Sequence, residues 1–186
     1  MCIRDRLGRA QEILRGTPND VALPLAYWRH RSSPEDMAKP LDPARDGCGL
    51  IWYSPLVPMT RRDVERFVAT TTSTCLEFDI DPLITLTSVS PRCFDCTIPL
   101  LFDAEQAGAA DRARACYRAL FDRNAAEGYV PYRLPVTEME RVVDARHAYW
   151  DVVRTIKAAL DPHGIVSPGR YAPQGDGVPC STDLAA

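Results

Sequence analysis

Between positions 50 and 134 the apolar residues of this chain switch repeatedly between short β-branched or aromatic runs and stripes at helical spacing, which leaves few architectures open. Leu50-Ile51-Trp52-Tyr53, stopped by Pro55, reads as a buried strand. Thr60 with Asp63 three residues on reads as a helix start, and Val64, Phe67, Val68, Thr71 and Cys75 then share one face of a helix of about four turns. Residues 83–89 and 93–101, parted by Ser90-Pro91-Arg92, read as paired strands. Ala109, Ala113, Cys116, Tyr117, Leu120 and Phe121 trace a second helical stripe within 104–127, and Gly128 suits the left-handed position that ends it. Residues 129–134 return to strand, which Pro131 confines to an edge. A capping pair, Thr137 and Glu140, opens a last long helix through Met139, Val142, Val143, Arg146, Trp150, Val153, Ile156 and Leu160, closed by Asp161-Pro162. This order predicts an α+β fold: a mostly antiparallel sheet with helices on one face, followed by a C-terminal helix and tail.

The bulk properties exclude several classes of function. With 186 residues, a net charge of −3 and a pI near 5.6, the chain has no basic footprint, and its arginines are scattered, so nucleic acid is not an expected partner. No apolar run approaches the ~20 residues that cross a bilayer, and a soluble protein without a membrane partner is expected. Seven irregularly spaced cysteines in a chain too large to need disulfide staples favour a reducing compartment, hence the cytoplasm, with the periplasm as the alternative. Residues 1–6, Met1-Cys2-Ile3-Arg4-Asp5-Arg6, read either as a translated sequencing adapter or as a frayed start, and stay outside the fold argument.

The obvious motifs carry little chemistry. Cys93-x-x-Cys96 lacks the second ligand pair of a structural zinc site, and on a strand the two residues point to opposite faces, so they read as structural thiols and no metal is expected. His30, His147 and His163 have no metal-ligand spacing and no adjacent nucleophile motif, and read as surface or packing residues. Gly47-Cys48-Gly49 is too short for a phosphate loop. What remains is Gly128-Tyr129-Val130-Pro131-Tyr132-Arg133 and the run Leu160-Asp161-Pro162-His163-Gly164-Ile165-Val166-Ser167-Pro168-Gly169-Arg170.

The second run resembles the C-terminal signature of FAD-linked oxidases of the vanillyl-alcohol oxidase and 4-cresol methylhydroxylase type, and the first resembles the Tyr-Arg pair that those enzymes place beside the flavin. The resemblance also takes in Pro18 with Tyr27-Trp28-Arg29, Trp52-Tyr53-Ser54-Pro55 with Pro58, and Pro99-Leu100-Leu101-Phe102-Asp103. It implies a C-terminal fragment of an FAD-dependent oxidoreductase that oxidises 4-alkylphenols or 4-hydroxybenzyl alcohols by hydride transfer to flavin. The layout it implies is a lead-in segment and linker at 7–47, part of the cap domain at 48–128, a segment completing the FAD domain at 129–171, and a flexible tail at 172–186. Catalytic roles would fall to Tyr132, Arg133 and Arg170, with Arg133, Pro168, Gly169 and Arg170 against the cofactor. Such donors suit a phenolate, because hydrogen bonds to an ionised oxygen are stronger than neutral ones. Adjacent strand residues point to opposite faces, so Tyr132 and Arg133 share a site only if the strand ends there.

Family members that hold FAD covalently use a His or Tyr just before the strand at Trp52. This chain has Cys48-Gly49-Leu50-Ile51 there, which implies non-covalent FAD. The diphosphate-binding loop has no counterpart, so the isolated chain is expected neither to hold FAD nor to turn over substrate. The resemblance further implies a cytochrome c or dioxygen as electron acceptor and a homo-oligomer for the whole enzyme. Two alternatives stand beside this reading: an FAD-linked 2-hydroxy-acid dehydrogenase of the D-lactate or glycolate type, and a non-catalytic α+β binding module.

Overall fold

A computed structural model describes residues 8, 11–12, 15–88, 90–143 and 147–170. Residues 1–6, the residues Leu7, Ala10, Ile13 and Leu14, whose spacing in the sequence reads as a short helix, Arg146 and the tail at 172–186 lie outside the described residues. The chain divides into two units, Met1–Tyr132 and Arg133–Ala186.

The first unit is an antiparallel sheet with two helices. Its strands are β1 (Cys48–Tyr53), β2 (Leu56–Pro58), β3 (Thr85–Ser88) and β4 (Cys93–Asp103), and β4 pairs with each of the other three. β1 and β2 meet β4 in one continuous register, with the Cys96 N–H donating to the Pro55 carbonyl between them. Because side chains alternate along a strand and paired residues share a face, this register assigns every residue. Tyr53, Val57, Cys96, Ile98 and Leu100 fall on one face and are fully buried. Leu50, Trp52, Leu56, Asp95, Thr97 and Pro99 fall on the other.

The buried face is covered by α1 (Arg61–Glu77) and α2 (Ala109–Ala126). Thr60 caps α1 as expected, its Oγ1 accepting from the Asp63 N–H at 3.2 Å. All six residues of the expected α2 stripe are buried, and Gly128 lies past the helix at φ 89°, the left-handed region that glycine enters without strain. Tyr53 ties sheet to helix: its ring meets that of Tyr117 edge-on at 5.7 Å and its hydroxyl donates to the Leu120 carbonyl. Gly49 is required for another reason. A Cβ there would lie 2.2 Å from the ring of Phe102, its partner across the ladder.

Three expectations need correction. The run at 50–53 is not buried throughout: Leu50 is 40% and Trp52 45% exposed, because only alternate residues face the helices. Residues 129–134 form no strand but a single bridge, Pro55 with Pro131, since a proline has no N–H to extend a ladder. The long last helix is also interrupted. In the second unit a 3₁₀ helix (Val136–Arg141) contains Thr137, and the regular helix α3 (Ala148–Leu160) starts at His147, whose Nδ1 accepts from the Tyr149 N–H. The β-branched pair Val142-Val143, poor in helix propensity, stands where the break begins. Cys93 and Cys96 lie on opposite faces of β4 as expected, half-buried and buried respectively, and no group of three or more His, Cys, Asp or Glu side chains among the described residues is placed to hold a metal.

Candidate functional site

Tyr132 owes its position to a chain of contacts that starts in α1. The Tyr129 ring meets Phe67 edge-on at 5.9 Å, and its hydroxyl donates to Asp63 Oδ1 at 3.0 Å. Those donors, the Thr60 hydroxyl first and Tyr129 second, hold the Asp63 carboxyl below its ordinary pKa, while burial and then Asp63 push the Tyr129 phenol up. From Tyr129 the backbone runs along the sheet edge: Leu56 N–H donates to the Val130 carbonyl at 3.0 Å, and Tyr132 N–H to the Ser54 carbonyl at 3.1 Å. Val130 thereby sits beside Leu56, and Tyr132 beside Ser54.

This edge gathers the exposed apolar side chains on one side of the sheet. Leu50, Trp52, Leu56, Val130 and Tyr132 are each 38–45% exposed, and strand alternation puts all of them on the face away from the helices. A face this apolar on a sheet whose other side is a packed core is the pattern of a surface made to be covered. Two polar atoms on the same face stand out. Ser54 Oγ and Asp95 Oδ1 are buried and have no hydrogen-bond partner among the described residues. A buried polar group left unsatisfied costs about 1–3 kcal/mol, so each calls for an explanation, as does Asn124 Oδ1 in the helix-packed core.

The remaining expected site residues belong to the second unit. The backbone bends at Tyr132 and Arg133, so strand alternation ends at that pair. Arg133 and Arg170 are both exposed. The loop that ends in Arg170 is built around Asp161, whose carboxylate accepts from the Ile165 and Val166 N–H groups at 3.0 and 2.9 Å and pairs with Lys157. Lys157 chiefly, with the Val166 N–H next, holds that carboxyl below its usual pKa. Pro168 and Gly169 then make a tight turn closed by the Arg170 N–H on the Ser167 carbonyl at 3.1 Å, with Gly169 at φ 72°. α3, which precedes this loop, has no buried residue, and Tyr149, Val152, Ile156 and Leu160 on it are all more than half exposed.

A cavity of about 240 Å³ lies elsewhere, at the end of β4 farthest from Tyr132 in register, lined among others by Arg29, Asp79, Asp103 and Arg112. Its Arg29 is engaged with Asp79 and Asp81, so its charges are largely internal to the fold. Sequence reasoning missed Ser54 and Asp95. The signal for Asp95 was present: a carboxylate inside an otherwise apolar strand run, Cys93-Phe94-Asp95-Cys96.

Comparison with known proteins places this geometry in context. No protein-family model matches the chain. It is 38% identical over 156 residues to the 1'-carboxy-chondrochloren decarboxylase of Chondromyces crocatus, and 29% identical over 166 residues to the flavoprotein subunit of the hydroxylating 4-cresol dehydrogenase of Pseudomonas putida. Those matches take in 84% and 87% of this chain but only 28% of either relative. Among solved structures, p-cresol methylhydroxylase with substrate bound matches 66% of the chain with a TM-score of 0.60 at 27% identity, covering 24% of that protein. The 4-ethylphenol oxidase of Gulosibacter chungangensis, in complex with isoeugenol, shares the fold over 68% of the chain and 25% of its own, with a TM-score of 0.62 at 24% identity.

Proposed function

From a chain that belongs with the FAD-linked oxidases of the p-cresol methylhydroxylase kind and corresponds to a C-terminal part of them, we propose that its sheet unit is the cap over a phenol-oxidising flavin site, with Tyr132, Arg133 and Arg170 as its anion-binding residues. The observation that carries this reading is Tyr132 itself, delivered by the Tyr129–Asp63 contact to an apolar sheet face and followed at once by an arginine.

The open face fits a flavin ring and an aromatic substrate. It offers Trp52, Leu50, Leu56 and Val130 for flat apolar contact, and the unsatisfied Ser54 hydroxyl as a polar anchor. FAD, when bound, supplies a hydride acceptor; its diphosphate would be held outside this chain, and Cys48-Gly49-Leu50-Ile51, just before Trp52, offers no His or Tyr as an attachment point. Tyr132 and Arg133 donate to the phenolate oxygen, which keeps the substrate ionised and its para carbon electron-rich. Arg170, at the end of the Asp161-clamped loop, adds a fixed positive charge that favours anionic forms of substrate and cofactor. The electron acceptor is a cytochrome or dioxygen, and stopped-flow reoxidation distinguishes them.

The test is Arg133→Lys in the flavoprotein that carries this chain. Loss of the bidentate, always-charged donor is expected to slow anaerobic flavin reduction by a 4-alkylphenol about a hundredfold. Reduction at the wild-type rate would sink the assignment. A second reading, decarboxylation of a carboxylated phenolic substrate, is favoured by the relative at 38% identity, a decarboxylase by name. Release of carbon dioxide from a 4-hydroxyphenyl acid, with no oxidation of 4-alkylphenols, would establish it instead.

A further inference from the structure

We propose that Asp95 is a specificity-determining residue of the phenol site: its carboxylate holds a neutral hydrogen-bond donor on the para substituent of the substrate and repels an acidic one. This rests on the phenol reading above and names the substrate class within it. Asp95 lies on β4 opposite Leu56 on one side and Thr87 on the other, and both neighbours, like Asp95, point away from the helices. Its Oδ1 is buried without a hydrogen-bond partner among the described residues. A carboxylate oxygen carries lone pairs for two or more donors, and leaving one desolvated and unpaired in a central strand is costly unless a ligand completes it.

The register fixes the distance to Tyr132. Tyr132 pairs with Ser54, and Ser54 lies two residues before Leu56, the partner of Asp95. With strands about 4.8 Å apart and a rise of about 3.4 Å per residue, the Cα atoms of Tyr132 and Asp95 are roughly 12 Å apart on one face of the sheet. Side chains stand roughly perpendicular to a sheet, so that spacing carries to their tips, and a phenol with a polar para substituent and a hydrogen bond at either end has a comparable length. A phenol whose oxygen meets Tyr132 therefore presents its para substituent to Asp95, across a floor formed by Ser54, Leu56 and Thr97. A benzylic hydroxyl donates to the carboxylate. A methyl group gains nothing from it, and a carboxylate placed there meets like charge in a desolvated site.

The experiment is equilibrium titration of the chemically pre-reduced full-length protein, in which no turnover occurs, with 4-hydroxybenzyl alcohol, 4-methylphenol and 4-hydroxyphenylacetate. In the wild type the alcohol is expected to bind at least tenfold more tightly than 4-methylphenol, and the acid most weakly. Asp95→Asn is expected to weaken the alcohol about tenfold, leave 4-methylphenol within about twofold, and admit the acid. The wild-type ranking alone tests the idea should the variant fold poorly. Equal binding of alcohol and 4-methylphenol, or a uniform loss in Asp95→Asn, overturns the role of Asp95 while leaving the phenol reading intact. Tight binding of the acid alone overturns both and supports the decarboxylase reading, and no binding of any phenol removes the premise.

Discussion

The two faces of the sheet in the first unit are built from the same strands, and nearly the same residue types, yet they have opposite fates. Toward α1 and α2, Tyr53, Val57, Cys96, Ile98 and Leu100 are completely buried. On the reverse face Pro99 and Leu101 are buried too, but Leu50, Trp52, Leu56, Val130 and Tyr132 stay 38–45% exposed, and Ser54 Oγ and Asp95 Oδ1 lack partners among the described residues. The lesson is that hydrophobicity identifies a face that must be covered, and the exposure left on it tells whether the helices of this unit cover it. The helix-covered side uses polar groups internally, as the Tyr53 hydroxyl does on Leu120, although Asn124 Oδ1 in α2 is also buried and unpaired among the described residues. On the reverse face the unpaired Ser54 Oγ and Asp95 Oδ1 lie among exposed apolar side chains instead.

The largest expected effect separates the two faces by stability. Leu100→Ala leaves a cavity between sheet and helices and is expected to cost about 2–5 kcal/mol, whereas Trp52→Ala, on the open face, is expected to cost less than about 1 kcal/mol and to show up in phenol and flavin affinity instead. Chemical denaturation of both variants beside the wild type checks this. Equal losses would mean that the open face is a second structural core and would break the comparison. Smaller in free energy is Tyr132→Phe. Removing one hydroxyl that donates to a phenolate is expected to weaken 4-alkylphenol binding about tenfold, the value of a charge-assisted hydrogen bond, and to leave the unfolding midpoint nearly unchanged. A shift in the midpoint with unaltered binding would place that hydroxyl in the fold rather than in the site.

Most of the helix-covered half was legible in the sequence because local periodicity decides it. The α2 stripe, the Thr60 cap and Gly128 each follow from short-range chemistry, and each is found where expected. The open face was not legible in the same way. Leu50-Ile51-Trp52-Tyr53 carries no polar alternation, so its outward residues read as buried, although the register turns every second one away from the helices. Ser54 and Asp95 gave a weak signal, since an isolated serine before a proline and an aspartate in a strand have innocent explanations until the unpaired atoms are seen together on one face. The break before α3 escaped for a different reason: Met139, Val142 and Val143 keep helical spacing, while the local preference of two β-branched residues works against the helix.

The smallest expected effect concerns the link by which the covered half positions the open one. Asp63 accepts from the hydroxyls of Thr60 and Tyr129 while its own N–H donates to Thr60 Oγ1, so one residue anchors both the start of α1 and the segment that carries Tyr132. Its pKa lies below the ordinary carboxylate value in the folded protein, with the Thr60 contact as the main cause and Tyr129 the next. A group depressed in this way contributes stability that is complete above the unfolded-state pKa, near 3.9, and is lost as pH falls through the lower folded value. Thr60→Ala is therefore expected to cost about 1 kcal/mol at neutral pH through loss of the cap. Asp63→Asn is expected to flatten the fall in melting temperature below about pH 4, because it has no carboxylate to protonate there. The link to the open face predicts more: in Asp63→Asn the phenol affinity should also fall by a few-fold at neutral pH, since the acceptor of the Tyr129 hydroxyl loses its charge. A melting curve altered by Asp63→Asn with phenol affinity untouched would show that the two faces are energetically independent, and that Tyr132 is held by its own bond to the Ser54 carbonyl alone.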